Sequence, residues 1–319
     1  MLYRRHLRIK VLQALYAWYT TGSDDLSLGE KQLMLSINKL YELFIYQLSY
    51  LVEIKRFATE RMGENKLKFY PTEEDLEPNL KFVENKAIEM IEENRDFRRK
   101  EETYKVNWAD HREMVRKSYK KLQKTDFYTA YLNNENRSLE EDKKFYLKII
   151  DKLLSDDEWL KSFYEERSVY FVDGYDLVLI LMIKFFDMLD DDFTVDSPMP
   201  GLYKSKDQSK NDDIDFVKNL FRKTILRDKE LTVILEGKTS NWEYDRIPIM
   251  DIILLKMAVV ELKEMETVPV KVTLNEYIEM AKYFSTEKSK TFVNGVLDRL
   301  IREFKEEGLI KKVGRGLIE

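Results

Sequence analysis

Apolar residues recur at three- and four-residue intervals along most of the chain, which is the spacing of an amphipathic helix. Residues 7–19 show this pattern first, with two apolar strips and one polar face. The first strip holds Leu7, Val11, Ala14, Leu15 and Trp18, the second holds Ile9, Leu12, Tyr16 and Tyr19, and the polar face holds His6, Lys10, Gln13 and Ala17. This predicts a first helix that packs on two sides and ends at Gly22.

The same spacing predicts helices over most of the remaining chain. The predicted elements are a helix at 28–62, a loop with Pro71 and Pro78, two or three exposed amphipathic helices within 80–154, two helices within 158–189 joined near Asp173 and Gly174, a loop at 196–211, and four helical units at 213–236, 248–263, 273–284 and 288–307. Pro248 suits a first helical turn, and Thr273 with Glu276 has the spacing of a capping box. Only 10 Gly and 6 Pro occur, too few for the turns of an all-β protein, so we predict an all-α fold.

The composition argues against several kinds of catalytic and metal site. The chain has no cysteine, and its two histidines, His6 and His111, lie far apart in the sequence. The sequence GKT at 237–239 looks like the end of a phosphate-binding loop, but Thr232 stands where that loop needs a glycine. We therefore expect no catalytic residues, no metal and no cofactor.

No segment has the pattern of an export signal or a membrane span. The basic start is not followed by the apolar run and small-residue cleavage site of a signal peptide. The most apolar run, residues 177–186, is about half as long as a membrane span and contains Lys184. It predicts a buried core helix, and we expect a cytoplasmic protein.

Charge is distributed unevenly along the chain. The first 22 residues carry +4, residues 214–319 carry +1 and the whole chain carries −5, so residues 23–213 carry −10. Arg4, Arg5 and Arg8 gather at the start of the predicted first helix, where positive charge opposes the helix dipole. The cluster is either a solvated helix start or a group that binds the phosphates of a nucleic acid.

The C-terminal third resembles the NusB family of transcription antitermination factors. The motifs that carry the resemblance are Arg246-Ile247, the leucine-rich helix that ends in Glu261-Leu262, the Val268-Pro269 turn, LNEYIEMAK, and FVNGVLD at 292–298. The N-terminal sequence RRHLRIKVLQALYAW is similar to the arginine-rich first helix of that family. The resemblance covers about residues 3–22 and 214–309.

The resemblance implies an RNA site and assigns residues to it. The arginine-rich end corresponds to Arg4, Arg5 and Arg8, with His6 where another arginine is common. The loop between the last two helices adds Lys282, Lys288, Lys290, Phe292 and Asn294, and Lys288 replaces an acid that many relatives carry. Asp251 is the implied contact for a protein partner. Other matching residues are expected in the core, namely Leu255, Ala258, Leu262, Ile278, Ala281, Phe284, Val293 and Val296, with Asn275 and Glu276 at a helix start and Gly295 allowing close helix packing.

The resemblance also implies a function and a domain organisation. It implies a non-enzymatic antitermination factor that binds single-stranded box A RNA with ribosomal protein NusE and acts indirectly on RNA polymerase. We expect two packed helical bundles, an N-terminal domain at 1–238 enlarged by an acidic insertion at about 23–213, and a C-terminal bundle at 239–319. The acidity of the insertion argues against added RNA contact.

Two alternatives to this function differ in what they require of the sequence. The RNA-binding domain of a ribosomal RNA cytosine methyltransferase shares the fold, but the absence of cysteine disfavours that enzyme. A helical protein-interaction scaffold or ribosome-assembly factor that has lost sequence-specific RNA binding stays open.

Overall fold

The computed structural model describes residues 2–203, 212–238 and 246–317, and within these ranges every regular element is helical. The prediction of an all-α fold is confirmed. The helices are α1 Arg4–Thr21, α2 Leu26–Lys66, α3 Glu73–Leu76, α4 Lys86–Glu93, α5 Arg95–Thr103, α6 Arg112–Gln123, α7 Asp126–Asn133, α8 Leu139–Ile149, α9 Glu158–Arg167, α10 Tyr175–Met188, α11 Asp212–Leu226, α12 Asp228–Glu236, α13 Ile249–Glu264, α14 Val270–Phe284 and α15 Ser289–Glu306. Residues 204–211 of the predicted loop and Thr239 of the GKT sequence lie outside the described residues.

The helices within residues 80–154 differ from the prediction in number. Five helices, α4 to α8, replace the expected two or three, because polar residues start new helices at short intervals. Asn85, Asn94, Thr125 and Ser138 each accept a hydrogen bond from the backbone N–H three residues later. Each of these helices buries at least one aromatic or aliphatic side chain and leaves other residues exposed, as expected of amphipathic helices.

Two boundaries in the C-terminal third also differ from the prediction. The segment 213–236 is two helices, α11 and α12, that separate at Arg227. Helix α14 begins at Val270, directly after Pro269, so Thr273 lies inside the helix and is not its cap. The Thr273 hydroxyl instead donates to Glu261, 2.8 Å away. Asn275 and Glu276 are accordingly mid-helix residues.

The chain divides into two compact units. Unit 1 consists of residues 1–37 and 203–319, and unit 2 consists of residues 38–202. This division differs from the expected boundary at 238. The physical reason is that most of the insertion closes an apolar core of its own instead of enlarging the N-terminal bundle.

Unit 1 is built around α13. This helix contacts α1, α11, α12, α14 and α15, and it is buried around nearly its whole circumference. A helix that is apolar on all sides belongs in the middle of a bundle. Most of the predicted core residues of this region are buried, whereas Ile278 and Phe284 are half-buried.

Unit 2 has a core rich in aromatic side chains. Tyr131 stacks on Phe145 with ring centroids 3.9 Å apart, and Tyr146 stacks on Phe186 at 5.5 Å. Helix α10 supplies the predicted buried apolar run. Gly174 precedes it where a Cβ would lie 2.9 Å from a Leu40 methyl, so only glycine fits without displacement. Among the described residues, no helix is long and apolar enough to cross a membrane.

Candidate nucleic-acid interface

The three arginines at the start of α1 have different surroundings. Arg8 is buried, and its guanidinium donates two hydrogen bonds of 2.8 and 2.7 Å to the Glu261 carboxylate on α13. Thr273 and Tyr277 on α14 donate to the same carboxylate at 2.8 and 3.1 Å. Four donors therefore converge on a carboxylate that is fully buried, which is the arrangement a buried charge requires.

This network keeps Arg8 charged and inaccessible. Burial alone would lower the pKa of Arg8, but the charge and hydrogen bonds of Glu261 outweigh it, and the net pKa is raised above that of free arginine. Burial, followed by the nearby Glu261 charge, raises the pKa of Tyr277 well above its usual value, so its hydroxyl stays a donor.

The burial of Arg8 corrects two expectations from the sequence. Arg8 is 2% exposed and cannot contact RNA in this structure, and it lies within the packed side of α1 rather than beside it. Lys10, expected on the solvent-compatible face, is also buried. A sequence signal for the pair did exist, because Arg8 and Glu261 are opposite charges that each occur within apolar helical stripes.

Arg4 and Arg5 remain accessible but are paired with acids. Arg5 is 53% exposed and donates two 2.8 Å hydrogen bonds to Glu276, which raise the pKa of Arg5. Arg4 contacts Asp213 at 3.3 Å, and its guanidinium lies 5.0 Å from the centre of the Phe216 ring. These carboxylates stabilise a basic helix start that the helix dipole disfavours.

His6 has a local role at the helix start. Its Nδ1 accepts a hydrogen bond from the backbone N–H of Tyr3 at 3.3 Å. This contact satisfies one N–H ahead of the first turn, where helix donors have no partner within the helix.

A cavity of about 730 Å³ lies in unit 1 at the start of α13 and α15. Its basic lining residues are Lys238, Arg246, Lys288 and Arg299, its acidic ones are Asp251 and Glu287, its polar ones are Thr286, Ser289 and Thr291, and its apolar ones include Ile247, Pro248, Phe292 and Val296. Four cations against two acids leave a positive, partly apolar cavity, which suits a ligand that combines anionic groups with a flat apolar part.

Asp251 is a buried part of the cavity wall. It is 2% exposed, and its Oδ2 accepts a 2.6 Å hydrogen bond from Ser289, whereas its Oδ1 has no hydrogen-bond partner among the described residues. Asp251 Oδ1 is itself buried, so in this structure the residue positions the Ser289 hydroxyl at the cavity wall and is not exposed to a ligand. Asp251 is therefore not the surface residue that the sequence suggested.

Gly295 opens the cavity from the side of α15. A Cβ at this position would meet no atom within 4 Å among the described residues. The expectation that Gly295 allows close helix packing is thus not met in this structure. The missing side chain leaves space next to Phe292.

The predicted loop residues divide into two groups. Lys288 and Phe292 line the cavity. Lys282 and Lys290 are exposed and Asn294 is half-buried, and none of these three lines it. Sequence reasoning missed Lys238, Arg246 and Arg299 as lining residues, although Arg246 was already part of a motif that carries the family resemblance.

Comparison with known proteins places this unit in a family. The sequence profile of the NusB family matches residues 184–302. The Transcription antitermination protein NusB of Clostridium botulinum (strain Loch Maree / Type A3) is 39% identical over 99 residues, which are 31% of this chain and 70% of that protein. The chain belongs to the NusB family.

Two further relatives carry the same name but extend beyond the match. The Salinibacter ruber (strain DSM 13855 / M31) protein is 46% identical over 104 residues, 33% of this chain and 65% of its own length. The Chloroherpeton thalassium (strain ATCC 35110 / GB-78) protein is 38% identical over 105 residues, 33% of this chain and 50% of its own length. The chain thus spans half to about two thirds of these two relatives. No solved structure gives a significant match.

The family match covers the cavity but not the arginine cluster. Helices α11 to α14 and most of α15 fall within residues 184–302, together with every lining residue of the cavity. Helix α1 lies before that range, so the resemblance of the N-terminal arginines rests on their own sequence pattern.

Proposed function

We propose that this chain is a transcription antitermination factor that binds single-stranded RNA through the cavity between the starts of α13 and α15. The observation that carries the proposal is a partly apolar cavity lined by the four cations Lys238, Arg246, Lys288 and Arg299. Its relatives in the NusB family are named transcription antitermination proteins. We infer a non-enzymatic role, in which the chain acts by binding RNA, from the family resemblance.

The chemistry of the cavity fits a nucleotide. Phe292 offers an aromatic face of the kind on which unpaired bases stack. Arg246, Lys288 and Arg299 supply positive charge for the flanking phosphates.

The biological setting is the one that the family resemblance implies. We infer that the ligand is box A-like RNA of ribosomal RNA operons, bound in the cytoplasm together with ribosomal protein NusE, and that RNA polymerase is affected indirectly. The half-buried Arg4 and the exposed Arg5 add phosphate contacts after exchange of their carboxylate partners. Lys282, Lys290 and Asn294 stay candidates for outer contacts, because two are exposed and one is half-buried.

Fluorescence anisotropy with labelled box A RNA and a scrambled RNA tests the proposal, with and without NusE. The variant K288Q/R299Q removes two cations of the cavity. Its affinity should fall, and the slope of log affinity against log salt should flatten by about 1.4, at 0.7 per phosphate contact. The matched control is R302Q/K305Q, the same charge change at exposed positions of α15 that do not line the cavity.

Phe292 tests base stacking separately from charge. Phe292→Ala removes the aromatic face at the cavity, so it should weaken RNA binding while leaving the salt slope unchanged. Equal losses in K288Q/R299Q and its control would contradict the cavity assignment. Failure of the wild-type chain to bind either RNA, even with NusE, would favour the scaffold alternative.

A further inference from the structure

The acidic unit 2 contains one strongly basic helix. Residues 38–202 contain 27 Lys/Arg and 35 Asp/Glu, a net charge of −8. Residues 112–124, which are α6 and the residue after it, contain six Lys/Arg and one acid, a net charge of +5. The rest of the unit therefore carries −13. Positive charge is therefore concentrated on α6, although the net charge of unit 2 as a whole is negative.

All six cations lie on one side of α6. The apolar side packs into unit 2 through Met114, Val115, Ser118, Tyr119 and Leu122. The opposite side forms the basic face, which consists of Arg112, Arg116, Lys117, Lys120, Lys121 and Lys124, all exposed. Arg116, Lys120 and Lys124 follow one another at four-residue intervals, which places successive charges about 6 Å apart along the helix. An extended nucleic-acid strand can present its phosphates at comparable intervals.

Folding alone does not account for this arrangement. Like charges four residues apart destabilise a helix. Cations in the last turn interact favourably with the helix dipole, but Arg112, Arg116 and Lys117 lie in the first half of α6, where the dipole disfavours them. Arg112 pairs with Glu60 at 2.7 Å, Arg116 with Glu113 at 2.6 Å and Lys121 with Asp157 at 4.0 Å, whereas Lys120 and Lys124 have no ion-pair partner among the described residues.

An exposed tryptophan lies beside the basic face. Trp159 at the start of α9 is 47% exposed, and Lys117 Nζ lies 4.5 Å from the centre of its ring. The half-exposed indole next to these cations offers a flat surface on which a base can stack. Cations along a surface with an aromatic ring next to them are the features with which proteins bind single strands without sequence preference.

We propose that the basic face of α6 and Trp159 form a second surface for single-stranded nucleic acid, with phosphates on the lysines and one base stacked on the indole. Its expected sequence preference is small, because phosphate contacts and stacking do not distinguish bases strongly. The surface lies entirely within unit 2 and does not depend on the cavity in unit 1. It gives the insertion a role in holding RNA of any sequence.

The test uses the full chain and a labelled 20-nucleotide oligouridine. The charge variant K120Q/K121Q/K124Q should bind about tenfold more weakly or worse at 0.1 M salt, and its salt slope should flatten by about 2, at 0.7 per lysine. Trp159→Ala should also weaken binding about tenfold, whereas Trp159→Phe should keep most of the affinity. The matched control K144Q/K148Q/K152Q makes the same charge change at exposed positions elsewhere in unit 2.

The outcomes separate this surface from the cavity and from other partners. Loss in the charge variant and in Trp159→Ala, without loss in the control, supports the proposal whether or not the cavity variants K288Q/R299Q bind box A RNA. Equal loss in the charge variant and its control, or no loss in either, overturns it. A charge variant that loses affinity while Trp159→Ala does not would also overturn it, because the lysines would then bind phosphates without a base stacked on the indole.

Discussion

Replacing Arg8 tests whether the ion pair to Glu261 is a structural element of unit 1. Arg8→Met keeps an unbranched side chain but removes the charge and both hydrogen bonds to the carboxylate. Glu261, which is fully buried, would keep only the hydroxyl donors of Thr273 and Tyr277. Removing one partner of a buried ion pair costs about 3–5 kcal/mol, because the other charge stays buried without compensation.

Urea unfolding followed by circular dichroism at 222 nm measures this cost. With a denaturant slope of about 2 kcal/mol per molar urea, the midpoint should fall by about 2 M. Because the chain has two units, hydrogen exchange of peptides from α1 and α13 should show that the loss is in unit 1. Arg4→Met is the control, since its ion pair is partly exposed and worth at most about 1 kcal/mol.

The double variant R8M/E261M separates the ion pair from general loss of packing. It should be more stable than Arg8→Met, since no buried charge remains. Its recovery should be incomplete, because Thr273 and Tyr277 lose their acceptor, at about 1–3 kcal/mol for each unsatisfied hydroxyl. A single variant within about 0.5 kcal/mol of wild type, the scatter of ordinary surface substitutions, would refute the structural role of Arg8.

Three further predictions concern exposed charge, cavity shape and pH. Glu276→Gln should free Arg5, and an RNA titration should show higher affinity with a salt slope steeper by about 0.7. Gly295→Ala should raise the free energy of unfolding in urea by about 0.5–1 kcal/mol, because alanine is the better helix former and its Cβ meets no neighbour, while RNA affinity falls as the cavity narrows. The hydrogen bond from Lys223 lowers the pKa of Glu264, so this carboxylate stabilises the fold above its unfolded pKa of about 4.3 and loses that effect as the pH falls through its lower folded pKa. The urea midpoint of Glu264→Gln should consequently fall less than that of wild type between about pH 5 and pH 3.

The helices could be predicted from the sequence because apolar spacing is a local property. The first helix ends at Gly22 as expected, where the left-handed backbone conformation (φ 64°) favours glycine. Leu255, Ala258 and Leu262 of α13 were expected in the core, and all three are buried. The prediction failed at Thr273, where a local capping pattern gave way to a hydrogen bond with Glu261 on another helix.

Pairing between distant residues is decided only by the tertiary structure. Arg8 and Glu261 are 253 positions apart, and each could have been solvated if its helix had turned by a fraction of a turn. Burial of α1 against α13 removes both charges from water, so only their mutual contact makes that burial tolerable. For this reason Arg8, which the sequence analysis assigned to RNA binding, is a core residue in the fold.

The two binding surfaces show the same division. Lys288 and Phe292 could be named from sequence motifs, but the cavity also needs Lys238 and Arg246, which precede α13. In the insertion, average composition indicated an acidic segment, whereas folding gathers the cations of α6 on one face next to Trp159. Composition is a sum over residues, but binding depends on which charges share a surface, and only the packing of helices determines that.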